Sequence, residues 1–182
     1  FFAENPDYES DVFASSPQDG GMTYSNYCEA EVTCNENGIL SIRITQMWFM
    51  GGVANMDYYG LSYDLYTGKE VSLENLLSMS SDAAGDYLKE ETIKYIDENP
   101  DMGWWSEDFA DAKQTVTEYD LQEFEFYIED HNVCLCYPTY ELGPGAMGAV
   151  VVECPITAQA VEAAPAEKTG GEPRSVQIEN AA

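Results

Sequence analysis

Cys28, Ala30, Val32 and Cys34 alternate with Glu29, Glu31 and Thr33, which is the period of a strand with one covered face. Asn35-Glu36-Asn37-Gly38 supplies a turn, and Leu40, Ile42, Ile44, Gln46 and Trp48 form a second alternating row. The two rows predict a β-hairpin. Gly51-Gly52 breaks the pattern before Tyr59, Leu61, Tyr63 and Leu65 resume it. Asp64 to Lys69 then predicts a strand end entering a turn, with Gly68 suited to positive φ. Val71 to Leu77 predicts a short extended stretch and one helical turn.

From Ser80 or Ser81 the period lengthens, placing Leu88, Thr92, Tyr95 and Ile96 on one helical stripe behind a hydroxyl N-cap. Glu90 and Lys94 sit four apart on the other side, and Asn99-Pro100 ends the helix because the proline ring restricts the residue before it. Ser106 predicts the cap of a shorter helix with Phe109, Ala112 and Val116 on its apolar stripe. Phe124, Phe126 and Ile128, then Glu129 to Asn132, then Val133, Leu135 and Tyr137 predict a second hairpin whose apolar residues share a face. Pro138 to Gly148 is a Gly/Pro loop, and Ala149 to Cys154 an apolar strand.

Residues 1–22 predict an acidic tether, 23–156 one folded domain, and 157–182 an Ala/Glu/Gly/Pro-rich tail or linker. Helices grouped between antiparallel hairpins predict an α+β fold, a single antiparallel β-sheet with helices packed on one face. The absence of regular strand-helix alternation disfavours a doubly wound sheet.

Charge changes the picture of partners. Thirty-four acidic side chains face seven basic ones, a formal net charge of −27. Such a surface repels nucleic acid and anionic lipid and attracts basic proteins. The chain is 45% hydrophobic with 13 Tyr, 7 Phe and 3 Trp, a composition that can bury a core and is unlike that of disordered acidic chains. No apolar run reaches the length of a membrane span, so the domain is not itself membrane-spanning. Phe1-Phe2-Ala3-Glu4 is no signal peptide, and the missing initiator Met suggests a processed product.

Five cysteines leave at least one unpaired. Cys28 and Cys34, about 20 Å apart along a strand, cannot bridge each other. Cys134 and Cys136 form a Cys-x-Cys pair opposite Tyr127 and Glu125; buried or inert thiols are favoured over a long-range disulfide or a metal site, which would need two further ligands. His131 falls in a turn among acids, poor ground for a catalytic base. Gly51-Gly52 and Gly143 to Gly148 lack the spacing and lysine of a phosphate loop. Asp57, Asp64, Glu129 and Asp130 lack the order of a calcium loop. Carboxylate pairs are too plentiful to nominate an acid/base couple. No catalytic residue, metal or cofactor is therefore assigned. Trp104-Trp105 is the local candidate for an aromatic contact patch, set against the alternative that at least one ring plugs the core.

Asn37 to Ile42, Gly51-Gly52, Tyr63 to Leu77 and Tyr137 to Gly148 occur in the order of landmarks in the RsiV-like extracytoplasmic domain. The chain resembles that domain from about Tyr24 to Pro155. It ends membrane-anchored anti-sigma factors of the RsiV type and accompanies some peptidoglycan deacetylases of the PdaC type. The resemblance implies a bacterial extracellular or surface-tethered module with no enzymatic activity of its own. Because RsiV binds lysozyme, it further implies a basic protein such as a lysozyme, or a peptidoglycan component, as partner. Where many relatives carry Gly-Gly-Ala-His-Gly, this chain has Gly51-Gly52-Val53-Ala54-Asn55. Contacts are expected from Trp104, Trp105 and the Tyr137 to Gly148 loop, including Tyr140 and Glu141. The rivals are a cell-wall-directed hydrolase using paired carboxylates and an acidic spacer.

Overall fold

The structure is a computed structural model that describes residues 25–49 and 54–156. The expected tether 1–22, the tail 157–182 and Gly51-Gly52 lie outside the described residues. The fold is α+β with antiparallel strands and packed helices. Its strands divide between two sheets rather than joining in one.

The first sheet has the order β1 (Ser25–Glu36), β2 (Ile39–Phe49), β3 (Asn55–Asp64), β4 (Lys69–Glu70). Asn37 and Gly38, both at positive φ (53° and 79°), join β1 to β2 in the left-handed geometry of a two-residue hairpin turn. The register shifts between Val32 and Cys34, a bulge at Thr33. The second sheet is β5 (Glu125–Glu129), β6 (Asn132–Tyr137), β7 (Val150–Pro155). Its hairpin turns through Asp130 and His131, again both at positive φ, with no glycine present.

Between the sheets in sequence come α1 (Leu73–Leu77), α2 (Ser81–Glu98) and α3 (Ala110–Glu118). Ser80 caps α2 by accepting from the Ala83 N–H at 3.3 Å. Leu88, Thr92 and Ile96 of its stripe are fully buried. Lys94 pairs with Glu91 at 3.3 Å rather than with Glu90. Phe109, at φ 62°, takes the N-cap position of α3, while Ser106 still serves the helix start by accepting from the Asp111 N–H at 3.2 Å.

The main core lies between these helices and one face of the second sheet. Leu88, Ile96, Ala112 and Val116 meet Val133, Leu135, Tyr137, Val150, Val152 and Cys154. The expected common face of the second hairpin is present, and Cys134 and Cys136 do stand opposite Tyr127 and Glu125 on the other face. Tyr137 shares a buried hydroxyl contact of 2.9 Å with Thr92.

The first sheet packs against that second face through its polar row, not its apolar one. Ser41 and Ser62 hydroxyls lie 2.8 Å apart, and Ser41 Oγ accepts from the buried Ile128 N–H at 2.8 Å. Gly60 sits so close to β5 that an added Cβ would collide with the backbone oxygen of Phe126 and lie 2.6 Å from Tyr127 N. Only glycine permits this approach. The Gly60 N–H donates to Glu125 Oε1 at 2.8 Å. Arg43 places its guanidinium 5.4 Å from the Tyr127 ring centre and pairs with Glu31 at 2.5 Å and Glu129 at 3.6 Å.

The face carrying Cys28, Ala30 and Val32 is therefore not the covered face that alternation suggests: Cys28 is exposed and Val32 is 58% exposed. Directly paired residues share a face, so Ala30–Ile44–Tyr59 and Val32–Ile42–Leu61 form cross-strand rows on the outward side. Alternation distinguishes two faces of a strand, whereas tertiary packing decides which one turns inward.

Candidate functional site

The loop between β6 and β7 is held from three directions. The Thr139 N–H donates to Asp57 Oδ1 on β3 at 2.7 Å, and the Thr139 hydroxyl donates to the Met56 carbonyl at 3.2 Å. The Tyr119 hydroxyl, at the end of α3, donates to Glu141 Oε1 at 2.9 Å. The Trp105 N–H donates to the Leu142 carbonyl at 3.0 Å, and the indole N–H of Trp105 donates to the Tyr140 carbonyl at 3.2 Å. Internal turns close Pro138 to Glu141 and Pro144 to Met147. Tyr140 adopts φ 75°, and its ring lies over Gly145, where an added Cβ would be 2.5 Å from Cε1.

These ties present two aromatic side chains outward: Trp105 is 38% exposed and Tyr140 54%. Glu141 is half-buried beside them, one oxygen committed to Tyr119. Burial first, and the Glu141 hydrogen bond second, hold the Tyr119 phenol well above its ordinary pKa, so it remains a neutral donor. Glu107 and Asp108 follow Trp105 on the exposed side. Holding aromatic rings on a pinned loop lowers the ordering cost of a contact.

Of the expected contact residues, Trp105, Tyr140 and Glu141 are brought together. Trp104 and Tyr137 are not at the surface, which corrects the expectation that they make contacts. Trp104 is 5% exposed, donates its indole N–H to the Asn99 carbonyl at 2.7 Å, and meets the Tyr95 ring edge-on at 6.1 Å. Tyr137 faces the helices because β6 alternates and the residue is in register with Leu135 and Val133. The alternative that one tryptophan plugs the core holds for Trp104.

Electrostatics reinforce the acidity. Within the described residues, Lys94, Lys113 and Arg43 are paired with the chain's own carboxylates, and Lys89 donates to the Thr117 carbonyl at 3.0 Å. Arg43, which no sequence motif singles out, is one of the polar links between the sheets. The Tyr127 hydrogen bond is the main cause holding its pKa above the usual guanidinium value, burial works against this, and Glu31 adds to the rise. Its signal in sequence is a lone cation on the Ser41–Arg43–Thr45 row, but its partners Tyr127 and Glu129 are distant in the chain.

All five cysteines are free. Burial pushes Cys134 up to about 11 and Cys136 and Cys154 up to about 12, leaving them protonated and unreactive at neutral pH. Among the described residues, no group of three or more His, Cys, Asp or Glu side chains is arranged to hold a metal ion, and no helix is long and apolar enough to cross a membrane. Two adjoining open grooves, of about 250 and 450 Å³, run between the β3–β4 edge and residues 121–126. Glu125, which lines the smaller groove, is already committed to the Gly60 N–H.

Residues 74–157 match the family described as "Protein of unknown function (DUF3298)". Comparison with curated proteins gives no match. The fold is similar to that of a DUF3298 family protein from Pseudomonas aeruginosa PAO1, with a TM-score of 0.50 and 18% identity over 83% of this chain and 65% of that one. It is also similar to a DUF3298 family member from Bacteroides fragilis NCTC 9343, with a TM-score of 0.53 and 21% identity over 82% of this chain and 58% of that one. This chain thus spans less than two thirds of the length of either relative.

Proposed function

We propose that this domain is a non-enzymatic, extracytoplasmic binding or sensing module of the RsiV-like kind, whose partner is a basic protein such as a lysozyme. The observation that carries this reading is the Trp105–Tyr140 pair, presented on a loop fastened to β3, α3 and the 104–105 segment, within a strongly acidic chain. Exposed rings supply apolar contact area and a seat for Lys or Arg, while surrounding carboxylates accelerate encounter. The two other DUF3298 folds support the architecture only.

Titration against hen-type lysozyme and against peptidoglycan, at low and moderate salt, tests the proposal. Lysozyme binding should be seen, with association slowing steeply as salt rises. Trp105→Ala and Tyr140→Ala should each weaken it by about 10- to 100-fold, the range of an interface anchor. Absence of lysozyme binding, or binding indifferent to both substitutions, would refute the assignment. Peptidoglycan binding that is insensitive to salt would move it to a glycan ligand.

A further inference from the structure

Among the described residues, the chain divides into two parts that share little apolar packing. Leu73 to Ile156 supply every side chain of the main core, and no residue of the first sheet belongs to it. Where the first sheet is buried, its side chains are polar: Ser41, Asn55 and Ser62. It is fastened to the second sheet and the loop beyond it by hydrogen bonds from Ser41 to Ile128, Gly60 to Glu125, and Met56 and Asp57 to Thr139, and by Arg43 against Tyr127 and Glu129. The apolar part of this seam is small, with Tyr58 packed on Tyr127, Cys134 and Cys136. The seam is also incompletely filled. Open grooves of about 250 and 450 Å³ run along its β3–β4 end, and the buried Arg43 Nε has no hydrogen-bond partner. A single crossing of the chain, Val71-Ser72, joins the two parts.

From this geometry we infer that the first sheet is a flap, which lifts from the second sheet as a unit while the helices and the second sheet stay folded. Opening exchanges hydrogen bonds across the seam for bonds to water, along a seam whose grooves are already open to solvent, and it leaves the main core intact. Net hydrogen-bond contributions are small beside those of a packed core, so this step lies below global unfolding in free energy. Two things change with it. The face carrying Tyr127, Cys134 and Cys136 is uncovered, whereas Cys154 stays inside the helix-covered core. The Pro138 to Gly148 loop loses both bonds from Thr139 to β3, while its ties to Tyr119 and Trp105 persist. The docked flap thus holds one end of the loop that presents Tyr140, and the lifted flap releases it. Regulation of the Trp105–Tyr140 surface by this movement rests on the binding role proposed above; the movement itself does not.

Thiol labelling of the full chain in stepped urea, below the main unfolding transition, is the test, with mass spectrometry assigning each cysteine. Cys134 and Cys136 should react at least about ten-fold faster than Cys154 in this range, at rates that climb with urea because the opening exposes a large surface. The amide protons of Thr139 and Ile128, which donate across the seam to Asp57 and Ser41, should exchange with the same urea dependence when followed by NMR. Asp57→Ala removes the Thr139 amide's acceptor and should raise labelling of Cys134 and Cys136 several-fold while leaving Cys154 unchanged. Glu36→Ala, which removes a carboxylate at the other end of the sheet, should change neither. The unmodified protein carries the first two measurements, so a misfolded variant does not remove the test. A single urea midpoint for all three thiols, labelling of Cys134 and Cys136 that is indifferent to urea, or no response to Asp57→Ala in a folded variant would overturn the inference. No step requires lysozyme, so this proposal and the binding proposal fail separately.

Discussion

Replacing Gly60 by alanine adds a single methyl group, yet the structure assigns it a large cost. The new Cβ would overlap the Phe126 carbonyl and press on Tyr127 N. These are backbone atoms in β5, so no side chain can swing aside. Relief requires the sheets to move apart by on the order of 1.5 Å, beyond the range of good van der Waals contact. That movement breaks the Gly60 N–H bond to Glu125 at 2.8 Å and the Ile128 N–H bond to Ser41 at 2.8 Å. With one bond to a carboxylate and one buried amide left without a partner, the loss is about 3–5 kcal/mol. Gly85→Ala is the matched control. It lies inside α2, where an added Cβ meets nothing within 4 Å outside the helix's own backbone, and alanine should stabilise the protein by about 0.5–1 kcal/mol. Urea unfolding of both variants measures the difference. A Gly60→Ala cost below about 1 kcal/mol would refute the close packing of the two sheets at this point, as would equal effects at the two positions.

Tyr137→Phe should cost about 1–2 kcal/mol because the buried Thr92 hydroxyl, 2.9 Å away, loses its partner; adding Thr92→Val should recover part of that in a denaturation cycle. A thiol reagent at pH 8 should modify exposed Cys28 promptly and Cys134, Cys136 and Cys154 only on unfolding, as followed by mass spectrometry. These three buried thiols ionise later in the folded chain, near 11 to 12, than at the ordinary value of 9.0. Their contribution is fully present below pH 9 and is lost as pH rises toward 11 or 12, because the unfolded chain releases protons first. Unfolding free energy should therefore fall above pH 9, with a shallower slope in Cys154→Ala.

Both hairpins and the α2 stripe were legible because period and turn residues are local properties. The face of Val133, Leu135 and Tyr137 followed from alternation once the Asp130–His131 turn fixed the register. The division into two sheets was not legible: it depends on Ser41 meeting Ile128 and Gly60 meeting Phe126 across long stretches of chain. The same limit explains the β1–β3 face, where an apolar row points outward and a row with serines and an arginine points inward. Trp105, Tyr140 and Glu141 were readable as a group through the aromatic pair and the Gly/Pro loop. Assigning Trp104 to the interior required the bond from its indole to Asn99, beyond the α2 terminus.

Among the described residues, β1 is an edge strand of its sheet over twelve residues, interrupted by the Thr33 bulge and carrying Glu29, Glu31 and Glu36. Ionised glutamates and an irregular ladder discourage a neighbouring strand from extending the pairing. As the solution approaches the isoelectric point of about 4.1, the repulsion between chains fades and the strand becomes a template for cross-β growth. Storage and crystallisation at low pH would then favour fibrils, with the bulge as the remaining obstacle.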